Sequence, residues 1–252
     1  MAAPRNEAEK SALEKFRVTT KYEELSDGVL MRYLRARDLD LTRAEDAITS
    51  SLEWKLNRIE KQSFSYWKPP PEFESTFKVY FTGLDVDGRV VLYINFDEWL
   101  PLRPLFEKYK PAEIVVFAYH VLANIHRQIA HSKQQQLVCI WDNADIGFSK
   151  IFHEVQNWAE IQTLREVVQM MDLNFPETLY KAFFINTARA VVYGFSLIKP
   201  FLRPYTLAKI LIHGCDESTW MPLLREYLSD DLIPANLGGT ADLKKSLYDY
   251  VR

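Results

Sequence analysis

Apolar segments with strand-like composition alternate with helical segments over most of this chain of 252 residues. Residues 77–84 and 89–96 are rich in Val, Tyr, Phe and Ile, and the turn-forming residues 85–88 between them predict a β-hairpin. Three further strands are predicted at 137–141, 182–186 and 210–213. Strands that alternate with helices favour crossover connections, so we predict an α/β fold with a mainly parallel sheet.

Two longer helices are predicted between these strands. Pro111 starts a helix whose apolar positions continue along one face to Ile129. Apolar residues from Ile151 to Met171 recur at helical spacing and predict another long helix. Helices in these places would cover the faces of the sheet.

The N-terminal part follows a helical pattern. Thr42 and Glu45 form a capping box at the start of one predicted helix, which then carries a narrow apolar stripe. The Pro-rich segment 63–74 suits neither a helix nor a strand. We therefore predict a helical subdomain over residues 1–70 and a second domain over residues 71–245, with this segment as the connector.

Residues 190–202 are apolar on every side and contain one charged residue, Lys199. A helix without a polar face must be buried in a core, cover an apolar ligand or contact a membrane, because no side of it suits water. The stretch has thirteen residues. Spanning a bilayer takes ~20. Membrane contact through this stretch would therefore be peripheral, and an ordinary core helix is the alternative.

The overall charge and the cysteines exclude several classes of protein. The 31 basic and 34 acidic residues give a net charge of −3, so we expect no general attraction to nucleic acid. Cys139 and Cys215 form neither a disulfide framework nor a zinc motif. The polar N-terminus has no signal-peptide core. These features together predict a cytoplasmic protein.

The common catalytic motifs are missing. Ser149 and Ser196 each lie two residues after a glycine, but neither has the second glycine of a nucleophile elbow. The sequence also has no glycine-rich phosphate loop. His120, His126 and His131 are spaced by six and five residues, which does not place them on one helix face as metal ligands. We expect neither an enzyme nor a metal site.

Several motifs carry a family resemblance. They are Leu34-Arg35-Ala36-Arg37, Phe175-Pro176-Glu177, residues 183–186 and residues 232–239. Their order and spacing resemble the CRAL-TRIO lipid-binding family over nearly the whole chain. The resemblance implies that the sheet floors a hydrophobic lipid cavity, and that a movable gating helix closes the cavity.

The resemblance also implies a headgroup site. In relatives that bind phosphatidylinositol, the positions that match Arg37, Glu177, Thr206 and Lys209 contact the inositol phosphate. Cationic groups suit the phosphate, and the carboxylate and hydroxyl suit the ring hydroxyls. Asp38 departs from the family pattern, since many phosphoinositide-binding relatives have a basic residue there. The alternative is a structural ion pair in which Glu177 balances Arg37 or Lys209 without any ligand.

The apolar stretch matches the gating helix of the family. The predicted gate residues are Ala190, Val191, Gly194, Phe195, Ile198, Phe201 and Leu202. Gly194 and the prolines at 200 and 204 weaken the continuity of a helix and predict hinges. Arg203 is predicted to contact anionic lipid heads when the gate lies on a membrane.

The resemblance thus implies a protein that binds one lipid and transfers or presents it between membranes. Phosphatidylinositol is the first candidate and phosphatidylcholine the second, with no other cofactor. The expected partners are this ligand and, transiently, a membrane surface, with the protein itself a monomer. Two alternatives stay open: a carrier of a tocopherol, retinoid, carotenoid or sterol precursor, and a regulatory module whose lipid signals occupancy to a partner.

Overall fold

A computed structural model describes residues 4–61, 70, 71, 73, 77–99, 102–144, 146–154, 157–243 and 246. Most of the connector predicted at 63–74 lies outside these residues. The helical subdomain boundary therefore stays a prediction.

Five strands form one sheet within the described part of the chain. They are β1 (Tyr80–Leu84), β2 (Val90–Asn95), β3 (Leu137–Asp142), β4 (Leu179–Ile185) and β5 (Ile210–Ile212), and they lie in this order across the sheet. β1 and β2 form the predicted antiparallel hairpin, and all the other pairs are parallel. The predicted α/β fold with a mainly parallel sheet is confirmed.

Ten α-helices whose bounds the structure describes accompany the sheet. They are α1 (Glu7–Thr19), α2 (Asp27–Arg35), α3 (Leu41–Lys55), α4 (Arg103–Lys108), α5 (Pro111–Ala130), α6 (Phe148–Glu154), α7 (Trp158–Asn174), α8 (Arg189–Ile198), α9 (Pro204–Leu207) and α10 (Glu217–Tyr227). α4 and α5 connect β2 to β3, α6 and α7 connect β3 to β4, and α8 and α9 connect β4 to β5. Each parallel pair therefore has a helical crossover.

The two faces of the sheet bury alternate side chains of each strand. One face packs against α10 through Val91, Tyr93, Val138, Ile140, Phe183 and Ile185. The opposite face packs against α5 through Val90, Leu92, Ile94, Cys139 and Ala182. Central parallel strands are buried on both sides, which explains why these segments are almost continuously apolar in the sequence.

The N-terminal helices have a core of their own. Phe16, Leu30, Leu34 and Ile48 are almost completely buried between α1, α2 and α3. Polar contacts then join these helices to the end of α7. The Tyr33 hydroxyl donates to the Leu173 carbonyl at 3.1 Å, and Ser51 donates to Asn174 at 2.9 Å.

The capping box predicted at Thr42 and Glu45 is wrong. Asp40 caps α3 instead, and its side chain accepts a hydrogen bond from the Arg43 amide at 2.9 Å. Glu45 accepts from the Lys21 amide at 2.8 Å and so fixes the loop after α1. No local sequence pattern indicates that Glu45 bonds to the distant Lys21 amide.

The single helix predicted from Ile151 to Met171 is two helices, α6 and α7. Asn157 caps α7 by accepting from the Glu160 amide at 3.1 Å, and Glu160 accepts from the Asn157 amide at 3.2 Å. This reciprocal capping box starts a new helix in the middle of the apolar pattern.

Candidate functional site

Glu177 and Lys209 form a buried ion pair beside β4 and β5. The Lys209 ammonium donates to Glu177 Oε1 at 3.2 Å and to the Leu179 carbonyl at 2.8 Å. The Glu177 side chain is 2% exposed and the Lys209 side chain 13%. Burial lowers the pKa of Lys209, and Glu177 offsets part of this effect. Two of the predicted headgroup residues are thus in direct contact.

Tyr205 completes this group, and sequence reasoning missed it. Its hydroxyl donates to Glu177 Oε2 at 2.9 Å, and its ring centroid lies 3.9 Å from Lys209 Nζ. Burial and the nearby Glu177 carboxylate raise the pKa of Tyr205 to about 12, so the hydroxyl stays a donor at neutral pH. Both carboxylate oxygens of Glu177 are therefore engaged.

The backbone fixes the positions of these side chains. Glu177 has a φ of +60°, a conformation that is rare for a residue with a side chain and that often occurs at functional sites. Its carbonyl accepts from the Gln136 side chain at 3.2 Å. Lys209 is held in place where its carbonyl accepts from the Ala182 amide of β4 at 2.9 Å.

Thr206 lies in α9 directly after Tyr205 and is partly buried. Its carbonyl accepts from the Lys209 amide at 3.1 Å. Thr206 is thus close to the pair along the chain, but its side chain makes no hydrogen bond with another described residue. Its predicted role as a headgroup ligand stays a prediction.

Arg37 belongs to a second group. Its side chain is buried, lies 3.7 Å from the Asp172 carboxylate and donates to the Ala36 carbonyl at 2.9 Å. Arg203 donates to the same carboxylate at 2.7 Å and to the same carbonyl at 3.1 Å. Burial and the neighbouring Arg203 lower the pKa of Arg37. The sequence left Arg37 and Lys209 as possible ion-pair partners of Glu177, and the structure pairs Glu177 with Lys209.

The Arg37 group borders an open depression of about 290 Å³ between α3 and the chain after α8. It is lined by Arg37, Arg43, Asp46, Ala47, Ser50, Leu173 and Arg203. Asp38, the departure from the family pattern, has a φ of +56° and lies 3.5 Å from Arg43. Its carboxylate partly neutralises the field of this arginine.

The apolar stretch forms α8 and a following 3-10 turn, Lys199–Phe201. The Phe195 ring lies 5.8 Å from the ring of Phe184 in β4. Arg165 of α7 lies over the Phe201 ring at 4.9 Å. The helix thus lies against the sheet and against α6 and α7. This packing is the position of the predicted gate in the structure, and both its role as a gate and its movement stay predictions.

Gly194 lies within α8 and faces α6. A Cβ atom placed on it would lie 3.6 Å from the Ile151 side chain, which is an ordinary contact distance. Ala190 at the start of the helix is buried, and Val191, Ile198 and Leu202 are partly buried. Ala190, Val191 and Ile198 share the inward side of the helix with Phe195, and Leu202 follows the 3-10 turn after it.

An aromatic row covers the sheet beneath the gate. The Trp141 ring of β3 lies 5.4 Å from Phe96, 5.1 Å from Trp99 and 5.4 Å from Phe184. Side chains of this kind provide a large apolar surface. The row marks the side of the sheet where the resemblance places the lipid.

The outer side of α6 and α8 carries an exposed aromatic patch, defined as Phe148, Phe152 and Tyr193. These residues are 49%, 54% and 46% exposed, and their ring centroids lie within 6.4 Å of one another. Val192 of α8 is exposed beside them. Clustered exposed aromatics mark contact surfaces on proteins or membranes.

No helix in the described part of the chain is long and apolar enough to cross a membrane.

Comparisons with known proteins agree on one family. Residues 74–239 match the model of the CRAL/TRIO domain. The SEC14 cytosolic factor of Candida glabrata is 24% identical over 96% of this chain and 81% of its own length. A CRAL-TRIO domain-containing protein of Caenorhabditis elegans and Protein real-time of Drosophila melanogaster are 22% and 24% identical, over 85% and 83% of this chain.

This chain spans 30% of the length of the Caenorhabditis protein and 32% of that of the Drosophila protein. Among solved structures, Sfh5 has the same fold, with a TM-score of 0.69 at 14% identity over 98% of this chain and 92% of the Sfh5 chain.

Proposed function

Because the chain belongs to the CRAL/TRIO domain family of lipid-binding proteins, we propose that it binds one phospholipid, with phosphatidylinositol as the first candidate, and transfers it between membranes. The observation that carries the proposal is the buried Glu177–Lys209 pair with Tyr205 against it. Burying a charged pair costs free energy through desolvation unless other polar groups form hydrogen bonds with it. An inositol phosphate offers both a phosphate and several hydroxyls for such a site.

The headgroup would use the two groups of residues differently. Lys209 is the proposed cation for the phosphate, and Glu177 is the proposed acceptor for ring hydroxyls. Arg37 stays proposed as a second cation, which would have to leave Asp172 to reach the same phosphate. Thr206, one residue from Tyr205, supplies a hydroxyl that can donate or accept. Phosphatidylcholine lacks ring hydroxyls, so it would leave the bond between Tyr205 and Glu177 in place.

The acyl chains would lie between the aromatic row and α8. In this proposal Phe195 and Phe201 move away with the gate, and the lipid takes their place against Trp141 and Phe184. The inward side of α8 is apolar throughout, which suits contact with acyl chains in the closed state.

The aromatic patch would meet the membrane while the gate opens. Phe148, Phe152 and Tyr193 are already exposed, so contact with a bilayer would bury them without unfolding any element. Arg203 now contacts Asp172 and the Ala36 carbonyl. We propose that it exchanges these contacts for anionic lipid heads when the gate opens.

The proposed location is the cytosol, in line with the relative named a cytosolic factor. Membrane contact would be transient, the protein would act as a monomer, and it would carry out no covalent chemistry.

Transfer between vesicles tests this function. Donor vesicles carry labelled phosphatidylinositol, acceptor vesicles carry none, and the protein is added in catalytic amount. We expect transfer by the wild type and a clear loss with Lys209→Ala. The matched control is Lys181→Ala, a lysine on β4 that makes no ion pair among the described residues. Absence of transfer by a folded wild type, for both phosphatidylinositol and phosphatidylcholine, would reject the proposal.

A further inference from the structure

Asp172 of α7 is shared by two arginines from different parts of the chain. Arg203, in the segment after α8, donates to its carboxylate at 2.7 Å, and Arg37, after α2, lies 3.7 Å from the same oxygen. The Ala36 carbonyl also accepts from both, at 3.1 Å from Arg203 and at 2.9 Å from Arg37. Within the described ranges, neither arginine forms an ion pair with a second carboxylate.

This arrangement leaves one positive charge unmatched. Two guanidiniums contact one carboxylate, and the pKa of Arg37 is lowered by burial and by the nearby charge of Arg203. Arg203 has the shorter contact, so Arg37 is the arginine that an incoming anion can take with the smaller loss. Asp38, the next carboxylate along the chain from Arg37, contacts Arg43 instead, at 3.5 Å.

The position of Asp172 within α7 also depends on these arginines. Asp172 lies in the last turn of the helix, where the helix dipole disfavours a carboxylate and favours a cation. The two guanidiniums offset this unfavourable placement. When one of them leaves, the carboxylate therefore keeps a strong preference for the other.

α7 holds the segment after α8 at a second point. Arg165 lies over the Phe201 ring at 4.9 Å. Arg165 and Asp172 are seven residues apart, which is about two helical turns, so both lie on the same side of α7. The end of the predicted gate, residues 199–203, is thus fixed to α7 by one aromatic contact and one ion pair.

We propose that Asp172 couples the headgroup site to the gate. A phosphate that draws Arg37 away leaves the Asp172 carboxylate and the Ala36 carbonyl to Arg203 alone, and it also removes the repulsion between the two guanidiniums. The chain is then held more tightly at Arg203 when ligand is bound than in the empty protein. This inference rests on the proposed function, since it needs a headgroup phosphate that takes Arg37. Such coupling is reciprocal, so a loosened Arg203 also weakens binding of that phosphate.

Hydrogen exchange in α8 and residues 199–203 of the lipid-free full chain tests whether Asp172 is shared in this way. Arg37→Gln should slow this exchange about two- to fivefold, because Arg203 then has no competitor for the carboxylate and the pair is partly exposed to water. The same substitution in an Asp172→Asn background should have no effect, since the shared carboxylate is gone. Arg43→Gln is the matched control and should exchange like the wild type, because Arg43 lines the same depression but contacts a different carboxylate.

The second measurement repeats the exchange after loading from phosphatidylinositol vesicles. Acyl chains shield α8 in every variant, so the coupling is measured by the additional slowing in the wild type over Asp172→Asn, which should be about two- to fivefold. Glu166→Gln removes a carboxylate of α7 that contacts Arg58 and should keep the slowing of the wild type.

A folded Arg37→Gln protein that exchanges as fast as the wild type, or faster, would overturn the inference. If Arg37→Gln does not fold, the loading comparison decides: equal slowing in the wild type and in Asp172→Asn overturns it, and smaller slowing in Asp172→Asn supports it. A wild type that takes up no phosphatidylinositol would instead reject the proposed function, and exchange in the lipid-free variants would still show whether Asp172 joins the two arginines.

Discussion

Removing Lys209 separates a ligand-binding role of the ion pair from a purely structural one. Lys209→Met leaves the Glu177 carboxylate with Tyr205 as its remaining side-chain partner, at a position where the Glu177 side chain is 2% exposed. Breaking a buried pair on one side costs about 3–5 kcal/mol of stability. We expect a value at the low end, because the Tyr205 hydroxyl still donates to the carboxylate.

The double variant Glu177→Gln/Lys209→Met removes both charges and keeps a side chain that Tyr205 can contact. Replacing a buried pair by neutral groups of similar size is often neutral for stability. We therefore expect the free energy of unfolding, measured with urea, to return to within about 1 kcal/mol of the wild-type value. The loss of phosphatidylinositol uptake should remain, because both charges that the Glu177–Lys209 pair offers to the headgroup are gone.

The assays are urea unfolding without added lipid and uptake of phosphatidylinositol from vesicles. A double variant that is as stable as the wild type and also takes up phosphatidylinositol equally well would refute the reasoning. The Glu177–Lys209 pair would then be structural only, as the alternative interpretation of the sequence has it. Uptake of phosphatidylcholine is measured for comparison, and it should fall less than that of phosphatidylinositol, because phosphatidylcholine has the phosphate but no ring hydroxyls for Glu177.

Three further predictions concern the pH dependence, the gate and the aromatic patch. Burial and the nearby cations of Arg32 and Lys55 lower the pKa of His126 to about 4 from its ordinary 6.5, so the unfolded chain takes up the proton first. His126 should therefore lower the free energy of unfolding by at most about 3 kcal/mol as the pH falls from 6.5 to 4. His126→Gln should remove that part of the acid sensitivity in urea unfolding, and an unchanged pH profile would contradict it. Asp172→Asn should weaken the hold on Arg203 and speed hydrogen exchange in α8 several-fold, whereas equal exchange rates would show that the contact does not restrain the gate. Phe152→Ser should lower vesicle transfer about tenfold while sparing bound lipid, because it removes an exposed ring from the patch; unimpaired transfer would exclude the patch as the membrane contact.

The sequence predicts most of the architecture because strands and helices have different apolar periods. The hairpin, the three parallel strands and the helix starting at Pro111 all follow from local composition. The break before Asn157 was missed, because the apolar spacing continues through it and only the capping box with Glu160 interrupts the helix.

The candidate site was predictable only in part. Family motifs pointed to Glu177 and Lys209, and the structure brings them together. The same motifs grouped Arg37 with them, but Asp172 holds it elsewhere. Tyr205 was missed because its contact depends on how α9 turns the chain back over Lys209, and no sequence period reports such a turn.

The proposed function requires that this chain encloses one phospholipid molecule. Native mass spectrometry of the protein, after incubation with vesicles of phosphatidylinositol and phosphatidylcholine, measures this directly. We predict a complex with one lipid per chain, and fragmentation should release mainly phosphatidylinositol. A folded protein that shows only the mass of the bare polypeptide, or that releases only a non-phospholipid hydrophobe acquired during expression, would contradict it.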